Sequence, residues 1–466
     1  MSISEKIFRE YDIRGVVDID LCDRFAFLLG RAFVNYLEAK GVSLSSAKVV
    51  IGYDARLSST SYAAALAEGI LSKGCVVAEV IGLSTTPLLY FAANVGKYDG
   101  AIMVTGSHNP ANMNGFKICV DKSTISGSEI QDLKRLVLEE GKLTEWQNWT
   151  LEKELSKESG NPFLDRYIEE LYQNVYPHFS ARKLKVVVDA GNGVGGLTAL
   201  KLLKKLNVEV VPLYCEPDGN FPNHHPDPTV LENLHDLMSK VKEVSADLGI
   251  GWDGDGDRIG VVDEKGRPVF GDMILLILAK ALLKRVPNAT IIGDVKCSEI
   301  LFDEIKKSGG NPIIWKTGHS LIKNKLKETG GALAGEMSGH IFFKDRFYGF
   351  DDACYATLRL LEIVSNHYGP FSSLLAGLPE TFSTPEIRVD CAEERKFEIA
   401  NKAVDLFKDY QISTIDGVRI KFPQGWGLVR ASNTQPVLVM RFEAASPDKL
   451  KEYQGLVMDR LTPLLN

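Results

Sequence analysis

The sequence predicts an α/β protein with three similar mixed α/β domains and a C-terminal α+β domain around one central cleft. The first observation behind this prediction is an apolar, β-branched run that ends in aspartate near glycine. It occurs three times, at 48–54, 185–189 and 290–294. Each run is followed by a helix-like segment, which is typical of a buried strand in an α/β sheet.

The second observation is a polar loop that follows a further apolar run in each of these three sections and precedes another strand. The loops are 105–110, 252–258 and 335–340. Residue identity between the sections is low, so the pattern alone indicates one α/β unit used three times. Because α/β sheets bind ligands at loops that leave the carboxyl ends of strands, the three loops are expected to line the cleft.

The last part of the chain has a different pattern. Residues 417–422 and 437–442 are interpreted as paired strands between helical segments, which predicts an antiparallel α+β domain. Polar residues and helix breakers near 155 and at 368–370 mark boundaries. The predicted domains span 1–154, 155–257, 258–368 and 369–466, and each contains one of the four polar loops described below.

Composition limits the function classes. The chain has 466 residues, 45% of them hydrophobic, with a net charge of −7 and a pI near 5.8, which argues against a nucleic-acid partner. Its longest apolar run, 273–283, is too short for a bilayer, so no membrane partner is expected. Seven scattered cysteines and an N-terminus without an apolar signal core predict a cytoplasmic protein.

Three aspartates alternate with glycines at Asp253, Asp255 and Asp257, and Arg258 closes the run. Like charges this close raise each other's pKa unless a cation lies between them, and carboxylate oxygens suit Mg²⁺, Mn²⁺ or Ca²⁺. A solvated acidic turn is the simpler alternative. An EF-hand loop with Glu264 as its last ligand is another, but Arg258 replaces the required glycine and the flanks resemble strands. An arginine beside a metal favours phosphate as the ligand.

Ser107 lies on a glycine-flexed loop with His108 next to it. The loop is not a G-x-S-x-G nucleophile elbow, because Asn109 follows. With a hard metal nearby, Ser107 is predicted to be a phosphoserine whose oxygen completes the metal shell. Lys117 and Arg258 would neutralise the charge of a transferring phosphoryl group. An ordinary turn is the alternative interpretation of this loop.

Two more polar loops complete the candidate site. Glu336, Ser338 and His340 place an acceptor, a hydroxyl and an imidazole together, a combination that suits a sugar ring. Residues 430–436 are rich in donors and contain no acid, which suits a phosphate that is bound but not cleaved. Each loop would look much the same as an ordinary polar turn.

A competing motif predicts a different enzyme. Residues 191–196 satisfy G-x-G-x-x-G after a strand and before a helix, and Glu216 follows at the spacing of a ribose-binding acid. An NAD-dependent enzyme is therefore the second hypothesis, and a sugar-phosphate sensor without catalysis is the third. Asp189 beside a pyrophosphate disfavours the NAD hypothesis, which also leaves the three aspartates unexplained.

Taken together, these loops resemble the α-D-phosphohexomutase superfamily, and within it the bacterial phosphomannomutase/phosphoglucomutase type. Seven motifs in the same order carry the resemblance over nearly the whole chain. They are FREYDIRG at 8–15, TGSHNP at 105–110, DGDGDR at 253–258, DVKC at 294–297, KTGHS at 316–320, GEMSGH at 335–340 and RASNTQP at 430–436.

The resemblance implies a monomeric enzyme that moves a phosphoryl group reversibly between C1 and C6 of mannose or glucose phosphates. Phosphorylated Ser107 and a bound hexose 1,6-bisphosphate, which is also the activator, would carry the group. Mg²⁺ would be held by Ser107, Asp253, Asp255 and Asp257. Hexose phosphates would be the only partners.

The resemblance also implies roles for individual residues. Ser107, Arg14, Lys117, Arg258 and His340 would be catalytic, with Arg14, Lys117 and His340 as candidates for proton movement. Tyr53 and Ala55 depart from the family pattern at a peripheral position. The substrate-binding set would be Tyr11, Arg14, Lys117, Arg258, Lys296, His319, Glu336, Ser338, His340, Arg430, Ser432, Asn433 and Thr434.

Overall fold

The computed structural model describes residues 3–74, 77–143, 160–433 and 435–465. Its contacts separate two compact units. The first unit comprises Met1–Ile274 and Ser338–Leu374, and the second comprises Leu275–Met337 and Leu375–Asn466. Among the described residues, no helix has both the length and the apolar character needed to cross a membrane.

The first sheet belongs to the first unit and has the strand order β1-β5-β4-β2-β3, with β6 beside β5. Strand β2 is parallel to β3 and β4, and β5 is antiparallel to β4 and β1. The elements are β1 (Ile13–Val16), α1 (Asp23–Ala39), β2 (Lys48–Tyr53), α2 (Ser59–Leu71), β3 (Val77–Leu83), α3 (Thr86–Val95), β4 (Gly100–Val104), β5 (Met113–Val120), β6 (Ser123–Thr124) and α4 (Ser128–Leu143).

The second sheet, also in the first unit, has the order β11-β10-β9-β7-β8. Strand β7 is parallel to β8 and β9, and β9 and β10 form the antiparallel hairpin that carries the acidic loop. The elements are α5 (Leu164–Val175), β7 (Lys185–Asp189), α6 (Gly195–Lys205), β8 (Glu209–Leu213), α7 (His235–Glu243), β9 (Leu248–Trp252), β10 (Ile259–Asp263) and β11 (Pro268–Val269). Because strands flank the acidic loop, the EF-hand alternative is wrong.

The third section repeats the parallel arrangement, with β12 parallel to β13 and β14. A central strand with two parallel neighbours therefore occurs three times, which confirms the predicted repetition. The elements are α8 (Gly271–Arg285), β12 (Thr290–Asp294), α9 (Glu299–Lys307), β13 (Asn311–Trp315), α10 (His319–Thr329), β14 (Leu333–Gly335), β15 (Ile341–Phe343) and α11 (Ala353–Ser365).

The C-terminal sheet belongs to the second unit and is antiparallel, as predicted, with the order β16-β21-β20-β19-β18 and β17 beside β21. The expected pairing of 417–422 with 437–442 is wrong, because β20 lies between these strands. Gly427 interrupts the apolar pattern of β20, and an added Cβ there would lie 2.9 Å from the Phe442 ring. The elements are β16 (Phe382–Ser383), β17 (Ile387–Asp390), α12 (Lys396–Leu406), β18 (Gln411–Ser413), β19 (Val418–Phe422), β20 (Gly425–Ala431), β21 (Val437–Ala444) and α13 (Pro447–Leu465).

Candidate active site

Ser107 lies in the loop between β4 and β5, and its backbone is in the left-handed region with φ of 50°. For a residue other than glycine, this conformation costs about 1–3 kcal/mol and persists only where the surroundings enforce it. The Thr105 hydroxyl accepts the Ser107 N–H at 2.8 Å and donates to Asp54 Oδ2 at 2.7 Å. The serine hydroxyl is therefore held in one place by the end of β2 and its own loop.

The acidic hairpin loop meets this hydroxyl. Ser107 Oγ donates to Asp253 Oδ2 at 2.8 Å, and Asp253 Oδ1 accepts the N–H groups of Asp257 and Arg258, each at 3.0 Å. An added Cβ on Gly254 would lie 2.4 Å from the Ser107 carbonyl oxygen. Glycine at this position is therefore what allows the two loops to come this close.

The three aspartates are completely buried, and two of them share one cation of the protein itself. Lys117 on β5 donates to Asp255 Oδ2 at 2.6 Å and also to Asp257 Oδ2. Burial alone would lower the pKa of Lys117, but these carboxylates outweigh it and the pKa is raised. Burial, followed by repulsion from Asp255 and Asp257, holds the pKa of Asp253 well above its usual range. One ammonium therefore leaves the cluster short of positive charge.

These residues fit a hard divalent cation. One carboxylate oxygen from each of Asp253, Asp255 and Asp257 lies within 4.8 Å of the others. The Oδ1 atoms of Asp255 and Asp257 are buried, and neither has a hydrogen-bond partner in the described residues. A buried carboxylate oxygen without a donor is costly unless a cation compensates it. The cluster could therefore hold a metal ion.

Arg258 and His340 lie on the other side of the cluster. Arg258 Nε donates to His340 Nε2 at 3.0 Å, and His340 Nδ1 lies 3.2 Å from Asp351 Oδ2 and 3.6 Å from Asp257 Oδ1. His108 Nδ1 lies 3.2 Å from Ser107 Oγ. Burial, followed by the charge of Arg258, holds the pKa of His108 well below its usual range, which favours a neutral imidazole beside the serine.

The remaining predicted residues of the first unit lie on or near β1 and β15. Arg14 on β1 pairs with Gly115 of β5, and its Nε donates to Asp12 Oδ2 at 2.7 Å. Tyr11 is buried just before β1. Ser338 is partly exposed in the loop before β15.

In the second unit, the polar loop after β14 contacts the start of α10. Glu336 is buried, and its Oε1 accepts the Gly318 N–H at 2.5 Å. Gly318 has φ of 135°, and the next residue, His319, is the first of α10 and is also buried. The Met337 N–H donates to Asp294 Oδ1 at 3.2 Å. The structure thus brings the predicted residues Glu336 and His319 to the same end of α10.

Two predicted substrate-binding cations of the second unit, Arg430 and Lys296, are paired with acids. Arg430, at the end of β20, donates from Nε to Asp416 Oδ2 at 2.9 Å. Lys296 Nζ lies 3.2 Å from Glu386 Oε2, and its charge, against burial, lowers the pKa of Glu386 to about 2. Ser432 Oγ accepts the Gln435 N–H at 3.1 Å, and Asn433 is partly exposed. Thr434 lies outside the described residues.

Sequence reasoning missed the residues that support these groups. Arg56 donates to the carbonyl oxygens of the Ser107 loop, Thr86 donates to Asp255 Oδ2 at 2.5 Å, and Asp351 approaches His340. Arg56 could have been predicted from the sequence, because it follows an apolar run that ends in aspartate. Thr86 could not, since it precedes its partner by 169 residues.

The glycine-rich turn at 191–196 has a different role from the one expected in a dinucleotide-binding enzyme. The Val194 N–H donates to the Gly254 carbonyl oxygen at 3.0 Å, and an added Cβ on Gly193 would lie 2.6 Å from that oxygen. The turn packs against the acidic loop at the place where a pyrophosphate would have to lie. The NAD hypothesis is therefore wrong.

Four family profiles match successive parts of the chain. They are described as phosphoglucomutase/phosphomannomutase alpha/beta/alpha domain I at residues 5–143, domain II at 165–266, domain III at 270–382, and the C-terminal domain at 386–460. Together they span most of the sequence.

Individual proteins give the same result. The chain is 46% identical over 463 residues to a phosphomannomutase/phosphoglucomutase of Pseudomonas putida, covering 99% of this chain and 96% of that protein. It is 42% identical over 462 residues to a phosphoglucomutase of Neisseria gonorrhoeae, covering 97% and 96%. A crystal structure of a phosphoglucomutase/phosphomannomutase family protein from Burkholderia thailandensis matches with a TM-score of 0.88 and 41% identity, covering 100% of this chain and 99% of that one.

Three repeated α/β domains, a C-terminal α+β domain and a serine hydroxyl on a buried acidic cluster define the class of phosphohexomutases. The chain belongs to the phosphoglucomutase/phosphomannomutase family. It is therefore an enzyme of the isomerase class, as the resemblance implied.

Proposed function

We propose that this enzyme moves a phosphoryl group reversibly between C1 and C6 of mannose or glucose phosphates. Phosphorylated Ser107 would be the donor and acceptor, and a hexose 1,6-bisphosphate would stay bound between the two transfers. The observation that carries the proposal is the 2.8 Å hydrogen bond from Ser107 Oγ to Asp253 Oδ2 within three buried aspartates. The names of the relatives support mannose and glucose phosphates as substrates.

The residues around Ser107 have chemistry that suits this transfer. When Mg²⁺ is bound by the phosphorylated Ser107 and the three aspartates, it would neutralise charge on the phosphoryl oxygens. Lys117 and Arg258 would neutralise more of that charge as the bond to Ser107 Oγ breaks and the bond to the sugar oxygen forms. The sugar hydroxyl must lose a proton, for which His340 is our first candidate, with Arg14 and Lys117 as alternatives.

Further substrate-binding residues are proposed in each unit separately. We propose Tyr11 and Ser338 for the first unit. For the second unit, Glu336 would accept from hydroxyls that the sugar presents in both orientations. The distal phosphate and the rest of the sugar would contact Lys296, His319, Arg430, Ser432, Asn433 and Thr434.

Further proposals come with this function. The domain limits are 1–154, 155–257, 258–368 and 369–466, with hexose 1,6-bisphosphate as activator and the enzyme as a monomer. The six cysteines in the described residues are free thiols, which supports a cytoplasmic location.

Phosphopeptide mapping tests the proposal directly. The purified enzyme is incubated with glucose 1,6-bisphosphate and Mg²⁺, and its intact mass and phosphopeptides are then determined. We expect one added phosphoryl group on Ser107, together with Mg²⁺-dependent conversion of hexose 1-phosphates to 6-phosphates. An active enzyme that carries its phosphate on another residue, or none at all, would reject the role of Ser107.

A further inference from the structure

Arg56 holds the loop that carries Ser107. Its side chain is buried, and its two terminal nitrogens donate to four carbonyl oxygens, three in this loop and one at the first residue of β5. Nη1 donates to Pro110 at 2.6 Å and to Met113 at 2.8 Å. Nη2 donates to Ser107 at 2.8 Å and to Asn109 at 2.6 Å. One guanidinium therefore fixes the backbone at the serine and over the residues that follow it.

The start of the loop lies directly on this guanidinium. Arg56 Nε lies 3.2 Å from Asp54 Oδ2, the same oxygen that accepts from the Thr105 hydroxyl. An added Cβ on Gly106 would lie 2.5 Å from Arg56 Cζ. Glycine at 106 therefore lets the chain pass close to the plane of the guanidinium, and the left-handed backbone of Ser107 follows immediately.

The glycine-rich turn, which has no place in the proposed chemistry, supports Arg56 indirectly, through the loop that carries Phe221. The Phe221 ring centroid lies 5.1 Å from Arg56 Cζ, within the range of a cation–π contact. The loop that carries Phe221 is tied to the turn through Asn192. Asn192 Nδ2 donates to the Glu216 carbonyl oxygen at 2.9 Å, and its own carbonyl oxygen accepts the Asp218 N–H at 2.9 Å.

We propose that Arg56 is a positioning residue for phosphoryl transfer, which holds the Ser107 loop so that Ser107 Oγ faces Asp253, with Phe221 fixing the guanidinium. This proposal rests on the proposed role of Ser107 as the phosphorylated residue. In the structure, the hydrogen bonds of Arg56 go to backbone carbonyls, so its loss moves the nucleophile without removing a substrate contact. A lysine cannot replace it, because an ammonium lacks the planar fork that serves four acceptors at once.

The test compares Arg56→Lys with Arg359→Lys, a matched control in the same unit. Arg359 is also buried, donates to Asp345 and Tyr355, and lies 4.3 Å from the Phe343 ring centroid. We expect Arg56→Lys to lower kcat about 10²-fold with KM unchanged, because displacing a reacting group by about 1 Å costs this much. The rate of Ser107 phosphorylation by glucose 1,6-bisphosphate falls in parallel. Arg359→Lys lowers the melting temperature but keeps the wild-type kcat.

A folded Arg56→Lys enzyme with wild-type kcat would overturn the proposal, and so would an equal loss of kcat in Arg359→Lys. If Arg56→Lys does not fold, Phe221→Leu decides the matter. This variant keeps Arg56 but removes the aromatic ring that contacts its guanidinium. We expect kcat to fall about tenfold. A folded Phe221→Leu enzyme with normal kcat would then reject the positioning role. Failure of the proposed function is distinguishable, because a fully active Ser107→Ala enzyme would reject the role of Ser107 whatever Arg56 does.

Discussion

The region around Ser107 in the first unit and the predicted phosphate-binding region in the second unit carry opposite charge arrangements. In the first, three carboxylates are buried, and two of them share the ammonium of Lys117. In the second, each cation has an acid beside it. Arg430 lies 2.9 Å from Asp416, and Lys296 lies 3.2 Å from Glu386.

We infer from this difference that the first region is suited to phosphoryl transfer and the second to reversible binding of phosphate. The carboxylates around Ser107 are buried and short of positive charge, so a cation held there would stabilise charge during the proposed transfer. The two cations of the second region already have carboxylate partners, so under the proposed function an arriving phosphate would replace a carboxylate instead of meeting a bare charge. Such an exchange limits the net gain in binding free energy, which suits a substrate that must leave again.

Ser107→Ala would have the largest effect. Without the hydroxyl no phosphoryl group can be carried, so we expect kcat to fall about 10⁴-fold or more, while glucose 6-phosphate still binds. Turnover assays and calorimetry measure the two quantities. As a control, Ser372→Ala removes a partly buried hydroxyl contact to Glu264 in the same unit and should remain active. An active Ser107→Ala enzyme would contradict the chemical role of this region.

Asp255→Asn should come next. The substitution removes one charge from the acidic cluster, so we expect kcat to fall about 10²–10³-fold and the required Mg²⁺ concentration to rise. Activity measured across a Mg²⁺ titration gives both values. The exposed Asp132→Asn on α4 is the control for a simple change of net charge. An unchanged Mg²⁺ dependence in Asp255→Asn would contradict a metal-binding role for the acidic cluster, and with it the difference drawn between the two regions.

Arg430→Gln tests the second region. Loss of one charged hydrogen bond to phosphate is worth about 1.5–3 kcal/mol, so KM should rise about 10- to 150-fold with kcat nearly unchanged. Steady-state kinetics with glucose 1-phosphate measure this change. Arg460→Gln, which breaks an ion pair with Asp409 in the same unit, should keep the wild-type KM. A loss confined to kcat would place Arg430 in the chemistry instead.

Glu386→Gln should lower KM, which is the opposite of the effect expected for Arg430→Gln. Removing the acid that neutralises Lys296 frees the ammonium for phosphate, so KM should fall about two- to threefold, the scale of an ordinary ion pair. The same kinetic assay measures it. A rise in KM would show that Glu386 orients Lys296 and does not compete with the ligand.

The smallest effect on activity is expected from a buried acid of the first unit outside the acidic cluster. Asp352 accepts from Tyr167 and from the Tyr355 N–H at the start of α11, and burial raises its pKa to about 7. The folded state therefore holds this proton up to a higher pH than the unfolded state does. The free energy of unfolding should fall as pH rises from about 4 to about 7. Asp352→Asn should reduce that slope in denaturant titrations without changing kcat, and an unchanged slope would contradict the raised pKa.

Local patterns were enough to predict the repeated domains and the residues with chemistry. The strand at 185–189 is recognised by its apolar, β-branched residues, and the run at 253–258 by its alternation of aspartate and glycine. Both patterns are visible within a few residues. The motif order added the family, and with it the roles proposed for Arg14 and His340. The β20 strand was missed, because its glycines hide the apolar period and its end contains the polar residues of a turn.

What the sequence by itself determined was therefore which residues carry charge, hydroxyls and flexible backbone. The tertiary structure alone decided which residues support them. Arg56 and Ser107 are hydrogen-bonded although they lie 51 residues apart in the sequence, and Ser107 and Asp253 although they lie 146 apart. Local composition cannot encode such contacts. They depend on which strand ends the packed sheets bring together, and on the missing Cβ atoms of Gly106 and Gly254 that let the loops touch.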